Sequence, residues 1–232
     1  MTVKRASVGL VALLLATALV AVTVPSARAR ARGFYTRLRG RQTTESVLAS
    51  IGPAARVRLP GLKVGDTVML VAFKQEKRLD VFAGADAGKP RLLKTYPILA
   101  ASGGPGPKTR KGDKQVPEGV YRVVSLNPNS AFHLAMRLDY PNGDDVAAAR
   151  TEGRDPAGLG GDIMIHGKSA SIGCLAMGDE AIEELFVLAA DAGLDRISVL
   201  ILPHDPRSGP LSDQRPWVAA RYKQLMSLLP EQ

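Results

Sequence analysis

Apolar positions in this chain fall more often into short strand-like runs than into helical stripes. Asp66 to Phe73 (DTVMLVAF) reads as a buried strand. Lys77 to Phe82 (KRLDVF) alternates enough for a second strand, with Lys74-Gln75-Glu76 as the polar turn between them. Arg91 to Ala100 contains a third strand that closes near Pro97. Val120 to Leu126 follows the turn Pro117-Glu118-Gly119, and Phe132 to Leu138 (FHLAMRL) alternates as a further strand. Ile163 to His166 is a short strand ending on the histidine, and Arg196 to Leu202 (RISVLIL) is a last buried one.

Helical signals are fewer. Thr44 to Ser50 predicts a short helix capped by Thr43 or Thr44. Asp179 is placed to cap a helix running to about Ala192, where Ile182, Leu185, Phe186 and Leu188/Ala189 form an apolar stripe and Gly193 is the stop. Trp217 to Leu229 reads as a terminal amphipathic helix after the loop Pro203 to Pro216. Ser102 to Asp113 is a loop of glycine, proline and lysine. Tyr140 to Gly161 reads as a long loop with one helical turn at Val146 to Arg150. The pattern predicts a mainly β (α+β) domain and excludes a doubly wound α/β sheet.

The first thirty residues have a different character. Lys4 and Arg5 precede an apolar run from Val8 to Val24, and Ala27-Arg28-Ala29 fits an A-x-A cleavage site, with Ala29-Arg30-Ala31 as a second. Residues 1–29 therefore read as a signal peptide. The run is about 17 residues, the lower limit for spanning a membrane, so an uncleaved anchor is the alternative. No later segment is apolar enough to span. The expected location is the periplasm or cell envelope, with residues 30–63 as a basic N-terminal extension, 64–202 as the main domain and 203–232 as a C-terminal loop and helix.

Composition narrows the partners. The 232 residues carry 31 Lys and Arg against 22 Asp and Glu, a formal charge of +9. Loss of residues 1–29 removes Lys4, Arg5 and Arg28 and no acid, which leaves +6 from that +9. Such a surplus suits an acidic polymer or an anionic surface. Nucleic acid is disfavoured, because the basic residues are dispersed and aromatics are only 5% of the chain.

Cys174 is the only cysteine. A leftover cysteine in an exported chain is either a reactive thiol or an intermolecular bridge, while the ordinary reading of a free cysteine is a small buried hydrophobe. Its context favours the first: it ends Ser171-Ile172-Gly173-Cys174, eight residues after His166-Gly167. A thiol near its usual pKa of about 8.5 is mostly un-ionised at neutral pH and needs a base, and His166 is the histidine within reach. Gly173 permits a tight turn that aims the amides of Gly173 and Cys174 at a developing oxyanion. A helix beginning near Asp179 is too distant to contribute much. His133 reads as a half-exposed strand residue and His204 as a loop residue. A zinc site of His166, Cys174 and His204 is disfavoured, since no CxxC or HxxxH spacing is present. No metal or cofactor is expected. A papain-like protease is disfavoured by the order of histidine and cysteine.

The segments IMIHG and SIGCLAM resemble the active-site region of L,D-transpeptidases, the YkuD-type catalytic domain. The resemblance extends over GPKTRKGDKQVPEGVYRV (106–123), LNPNSAFHLAMRLDYPN (126–142) and IMIHGKSASIGCLAMGDEAIEEL (163–185), within a span from about Val64 to Leu202. These segments are similar to the branch containing murein L,D-transpeptidase-like proteins and an enzyme that detaches a lipoprotein from peptidoglycan. The resemblance implies a β catalytic domain with a mixed sheet and a few packed helices. It implies Cys174 as nucleophile, His166 as proton acceptor, Ser171 and Gly173 as matches of the motif serine and glycine, and Gly167 as the residue whose carbonyl orients the imidazole. It implies acyl transfer at the L-centre of diaminopimelate through a thioester, with peptidoglycan stem peptides as partners and a peptidoglycan-linked lipoprotein as a further one. The basic loop residues Lys108, Arg110 and Lys111 are candidates for attracting acidic stem peptides, or are ordinary solvated charge. The chain departs from the family pattern at three points. Ile172 stands where a histidine usually precedes Gly-Cys, the loop from His166 to Cys174 is short, and Ala176 stands where many members have arginine. The last removes a carboxylate clamp and favours water over an amine as acceptor, hence a hydrolase or amidase as the alternative activity. A non-catalytic wall-binding domain is the second class of reading.

Overall fold

The computed structural model describes residues 40–59, 61–62, 66–84 and 89–230. The predicted signal segment, residues 1–29, lies outside the described residues. Contacts divide the chain between Ser46 and Val47, and the sheet lies wholly in the second unit.

Nine strands form one mixed sheet: β1 (Val68–Phe73), β2 (Arg78–Ala83), β3 (Arg91–Pro97), β4 (Ala100–Ala101), β5 (Gly119–Ser130), β6 (His133–Leu138), β7 (Met164–His166), β8 (Leu175–Ala176) and β9 (Ile197–Leu202). Their order across the sheet is β3-β2-β1-β9-β5-β6-β7-β8-β4. The helices are α1 (Thr44–Arg58), α2 (Gly143–Thr151), α3 (Asp179–Ala192) and α4 (Pro216–Leu228). Among the described residues no helix is long and apolar enough to cross a membrane.

The near-continuous apolar runs of β1 and β9 are explained by their pairing. They run parallel in the middle of one half-sheet, with Val68 opposite Ile197 and Phe73 opposite Leu202. Alternate residues serve two cores. Leu70, Ala72, Val199 and Ile201 face a core shared with Ile182, Leu185 and Phe186 of α3. Val71, Phe73, Leu200 and Leu202 face a second core with Val218, Tyr222 and Leu225 of α4. A strand buried on both faces has no polar face to show.

β5 joins the two halves. Gly119–Arg122 pairs with β9, and from Val123 onward the strand pairs with β6 through two register shifts. It is therefore longer than the predicted Val120 to Leu126.

Several expectations change. The strand predicted over Arg91 to Ala100 breaks after Pro97, and its two pieces end on opposite edges, β3 on β2 and β4 on β8. Proline has no N–H with which to continue a ladder. The helix expected over Thr44 to Ser50 continues to Arg58 through Pro53. Its start is fixed reciprocally, Ser46 N donating to Thr43 Oγ1 at 3.2 Å and Thr43 N to Ser46 Oγ at 3.0 Å. The supposed loop Tyr140 to Gly161 holds a full helix, α2, and a 3-10 turn at Pro156–Leu159. Asn142 caps α2 by accepting from Asp144 N and Asp145 N, while Asp145 accepts from Asn142 N in return. Asp179 is not the cap of α3. Gly178 holds that position, and the Asp179 carboxylate instead takes Lys168 N at 2.9 Å and the Lys168 ammonium.

Candidate active site

The site is built on β7 and β8, which run parallel and adjacent with Ile165 opposite Leu175 and His166 opposite Ala176. Parallel neighbours usually need a crossover of about a dozen residues or more. Here residues 167–174 suffice, because β8 is only two residues long. Cys174 is the last residue before β8. Extending the register by one sets it beside Met164, and the pleat then puts Met164, His166, Cys174 and Ala176 on one face.

The connection is held by specific contacts. A Cβ on Gly167 would lie 2.6 Å from the Phe132 carbonyl and 2.7 Å from Asp179 Oδ1, so no side chain fits there. Lys168 turns the chain in a left-handed conformation (φ 59°) and returns its carbonyl to Gly178 N at 2.9 Å. Gly173 lies at φ 132°, a conformation that favours glycine, and a Cβ there would lie 3.4 Å from the Gln115 carbonyl. Ser171 Oγ accepts from Gly173 N (3.2 Å), Cys174 N (3.1 Å) and Ser102 N (3.3 Å), and donates to the Cys174 carbonyl (2.7 Å). The sequence reading aimed the Gly173 and Cys174 amides at an oxyanion. In this arrangement they donate to the serine hydroxyl, so that role requires Ser171 to release them.

His166 is 3% exposed. Its Nδ1–H donates to the Gly167 carbonyl at 2.6 Å, since a carbonyl can only accept. In the neutral ring this leaves Nε2 as the free acceptor. The Phe132 ring covers the imidazole, with centroids 4.6 Å apart. Burial pushes the imidazole pKa down, opposed by the Gly167 bond, so the ring is held neutral and able to take a proton.

Cys174 is partly exposed, and its Sγ lies 3.7 Å from the Asp162 carbonyl. Burial pushes the thiol pKa up; the Met164 backbone amide and the Lys108 charge pull against this, and the Asp162 charge adds to it. Thiol and imidazole share a face but, among the hydrogen bonds of the described residues, each points to a backbone carbonyl rather than to the other. Both groups rest neutral. Such a pair forms thiolate only when the base takes the proton, unlike a standing thiolate–imidazolium pair.

The other sequence candidates lie as follows. Lys108 is buried, not solvated: its ammonium binds Asp113 Oδ1 (2.6 Å) and the Arg110 carbonyl (2.7 Å). Asp113 also accepts from the amides of Thr109, Arg110 and Gln115, which closes the loop on itself. Lys108 thus reaches Cys174 only through its field, while Arg110 and Lys111 stay exposed. His133 bonds Glu183 (2.8 Å) and His204 the Asp205 carbonyl (3.1 Å). Among the described residues no cluster of three or more His, Cys, Asp or Glu is arranged to hold a metal.

Sequence reasoning passed over Phe132, Asp162 and Met164. Phe132 opens the alternating run FHLAMRL, and its position before a left-handed His133 (φ 73°) turns it onto His166. Asp162 lies just before β7 and Met164 opens it, and neither carries a sequence signal of its own.

The chain falls within a defined class of protein. Residues 68–199, more than half of the chain, match the model of the YkuD L,D-transpeptidase catalytic domain. The chain belongs to the YkuD L,D-transpeptidase catalytic-domain family. It is 37% identical over 145 residues to YafK of Escherichia coli (strain K12), whose name leaves its L,D-transpeptidase activity provisional; the match covers 60% of this chain and 55% of YafK. The chain thus spans about half the length of the curated relatives it matches. Among solved structures it is similar to the helical cell shape determining protein Pgp2 of Campylobacter jejuni, with 22% identity, TM-score 0.49 and coverage of 70% of this chain and 56% of Pgp2. It is also similar to L,D-transpeptidase 1 of Mycobacterium tuberculosis, with 16% identity, TM-score 0.34 and coverage of 59% and 62%. Membership of the family rests on the match over residues 68–199.

Proposed function

We propose that this protein is an exported, cysteine-dependent enzyme that modifies peptidoglycan by acyl transfer at the L-centre of diaminopimelate. The observation that carries the reading is the one-face placement of Cys174 and His166 within a domain of the L,D-transpeptidase family.

His166 Nε2 takes the proton of Cys174. The sulfur attacks the scissile carbonyl, and the oxyanion collapses to expel the amine, which receives the proton from His166. The resulting thioester is opened by a second amine, giving a new amide, or by water, giving an acid. Either route restores the thiol. A neutral imidazole with Nε2 free and a neutral thiol are the protonation states this sequence of steps begins from.

Hydrolysis is the second reading. It is favoured by Ala176, which is fully buried and offers no charged group to a second stem peptide beside the nucleophile. Export follows from the character of residues 1–29, and a wall-linked lipoprotein is a further candidate donor.

The test incubates the protein with sacculi and analyses the products by mass. New cross-links mean transpeptidation; trimmed stems or a released lipoprotein mean hydrolysis. Cys174→Ala is expected to abolish all of these while the protein stays folded. Turnover retained in that variant would refute the cysteine mechanism, and no turnover by the native protein would favour a wall-binding domain.

A further inference from the structure

On the reading of Cys174 as nucleophile, the site still lacks a group to recognise a charged substrate, since Ala176 is apolar and Lys108 is consumed by Asp113. The sheet register supplies one. β6 pairs with β7 antiparallel, with Ala135 opposite His166 and Arg137 opposite Met164. Arg137, Met164 and Cys174 therefore form a row across three neighbouring positions, their side chains on the face that carries His166. Strand spacing of roughly 4.8 Å puts the Arg137 and Cys174 backbones about 10 Å apart, within reach of an arginine side chain.

The guanidinium is already held near the sulfur. Arg137 Nη2 lies 3.1 Å from Asp162 Oδ1, and the carbonyl of that same Asp162 lies 3.7 Å from Cys174 Sγ. The two side chains are 49% and 76% exposed. An ion pair so open to water contributes little and exchanges readily. The guanidinium carries five N–H donors in a fork, more than the Asp162 carboxylate can occupy, which leaves donors for a second carboxylate. Arg137, Asp162, Met164 and Cys174 all reach solvent, whereas Ala135, His166 and Ala176 on the same face are buried. The row is thus the open end of the site.

We propose that Arg137 is the specificity-determining residue that binds a free carboxylate of the acyl donor beside the scissile amide, and that Asp162 occupies it until the donor arrives.

The test uses the intact protein and two thiol reagents, anionic iodoacetate and neutral iodoacetamide. Arg137→Gln is expected to lower the iodoacetate-to-iodoacetamide rate ratio at Cys174 by roughly tenfold, the loss of one charged hydrogen-bond donor. The iodoacetamide rate and the melting temperature are expected to hold. Arg137→Lys should keep much of the ratio. Asp162→Asn should raise it, by freeing the guanidinium. On a muropeptide donor, Arg137→Gln should raise KM roughly tenfold with kcat little changed. An unchanged ratio in Arg137→Gln, with Cys174 still reacting with iodoacetamide, would overturn the assignment and leave the nucleophile reading intact. A thiol inert to both reagents in the native protein would overturn the nucleophile reading and this proposal with it.

Discussion

Two regions of the sheet, one in each half, are built on opposite rules. Around β1 and β9, strands of six residues pair in unbroken register, both faces are covered, and nearly every side chain is apolar. Around β7 and β8, strands shrink to three and two residues, left-handed Asp162 and Lys168 flank them, and large apolar groups stand in solvent: Phe132 at 43% and Ile172 at 80% exposure. The first region spends its hydrophobic surface on packing. The second leaves it exposed beside His166 and Cys174. On the proposed function, stability belongs to the first region and chemistry to the second, which predicts that substitutions separate cleanly into two kinds.

The largest expected effect is on neither face alone but on the charged tie that fastens α4 and the 102–118 loop to the sheet. Glu118, fully buried, accepts from Lys74 Nζ (3.0 Å), Gly106 N (2.9 Å) and Tyr222 OH (2.6 Å). Burial holds the Lys74 pKa down, partly offset by the Glu118 charge. Glu118→Gln leaves an ammonium in the interior without its counter-charge and is expected to cost about 3–5 kcal/mol in a denaturant titration. Leu200→Ala, in the α4 core, should cost about 2–5 kcal/mol with no direct effect on thiol reactivity. Gly167→Ala forces a methyl against Phe132 O and Asp179 Oδ1, and is expected to lose about 1–3 kcal/mol together with most of the activity. Ile172→Ala, at the exposed tip of the loop, should change stability by less than about 0.5 kcal/mol, so any activity loss there reports substrate contact. If Leu200→Ala slowed alkylation of Cys174 as much as Gly167→Ala did, the division between the two regions would fail.

A pH profile sharpens the same contrast. Burial raises the thiol pKa, so thiolate accumulates only above the ordinary cysteine range; burial lowers the imidazole pKa, so His166 stays neutral into mildly acid solution. Alkylation of Cys174 should therefore keep rising through pH 8 and beyond. A plateau reached below pH 7 would indicate a standing thiolate–imidazolium pair instead.

Sequence made the packed region easier to read than the site region, and the reason is physical. DTVMLVAF and RISVLIL are apolar because both their faces are covered, so composition alone marks them as strands. β8 has two residues, too few for any periodicity, yet it is the element that brings Cys174 beside β7. Helix α2 was hidden because GDDVAAART carries only a weak apolar stripe; its signal was the reciprocal capping of Asn142 and Asp145. Lys108 looked like surface charge because its partner Asp113 lies five residues on, across a turn that only folding closes. His166 and Cys174 stood out from chemistry rather than pattern: one thiol, one nearby imidazole and glycine beside each.

The central claim is that the Cys174 thiol is activated by the His166 imidazole. The direct measurement is the rate of Cys174 alkylation by iodoacetamide at pH 7.5 in the native protein and in His166→Gln, with folding checked by circular dichroism. The account predicts a fall of roughly a hundredfold in the variant, the size of a lost general base. Equal rates in the two folded proteins would contradict it.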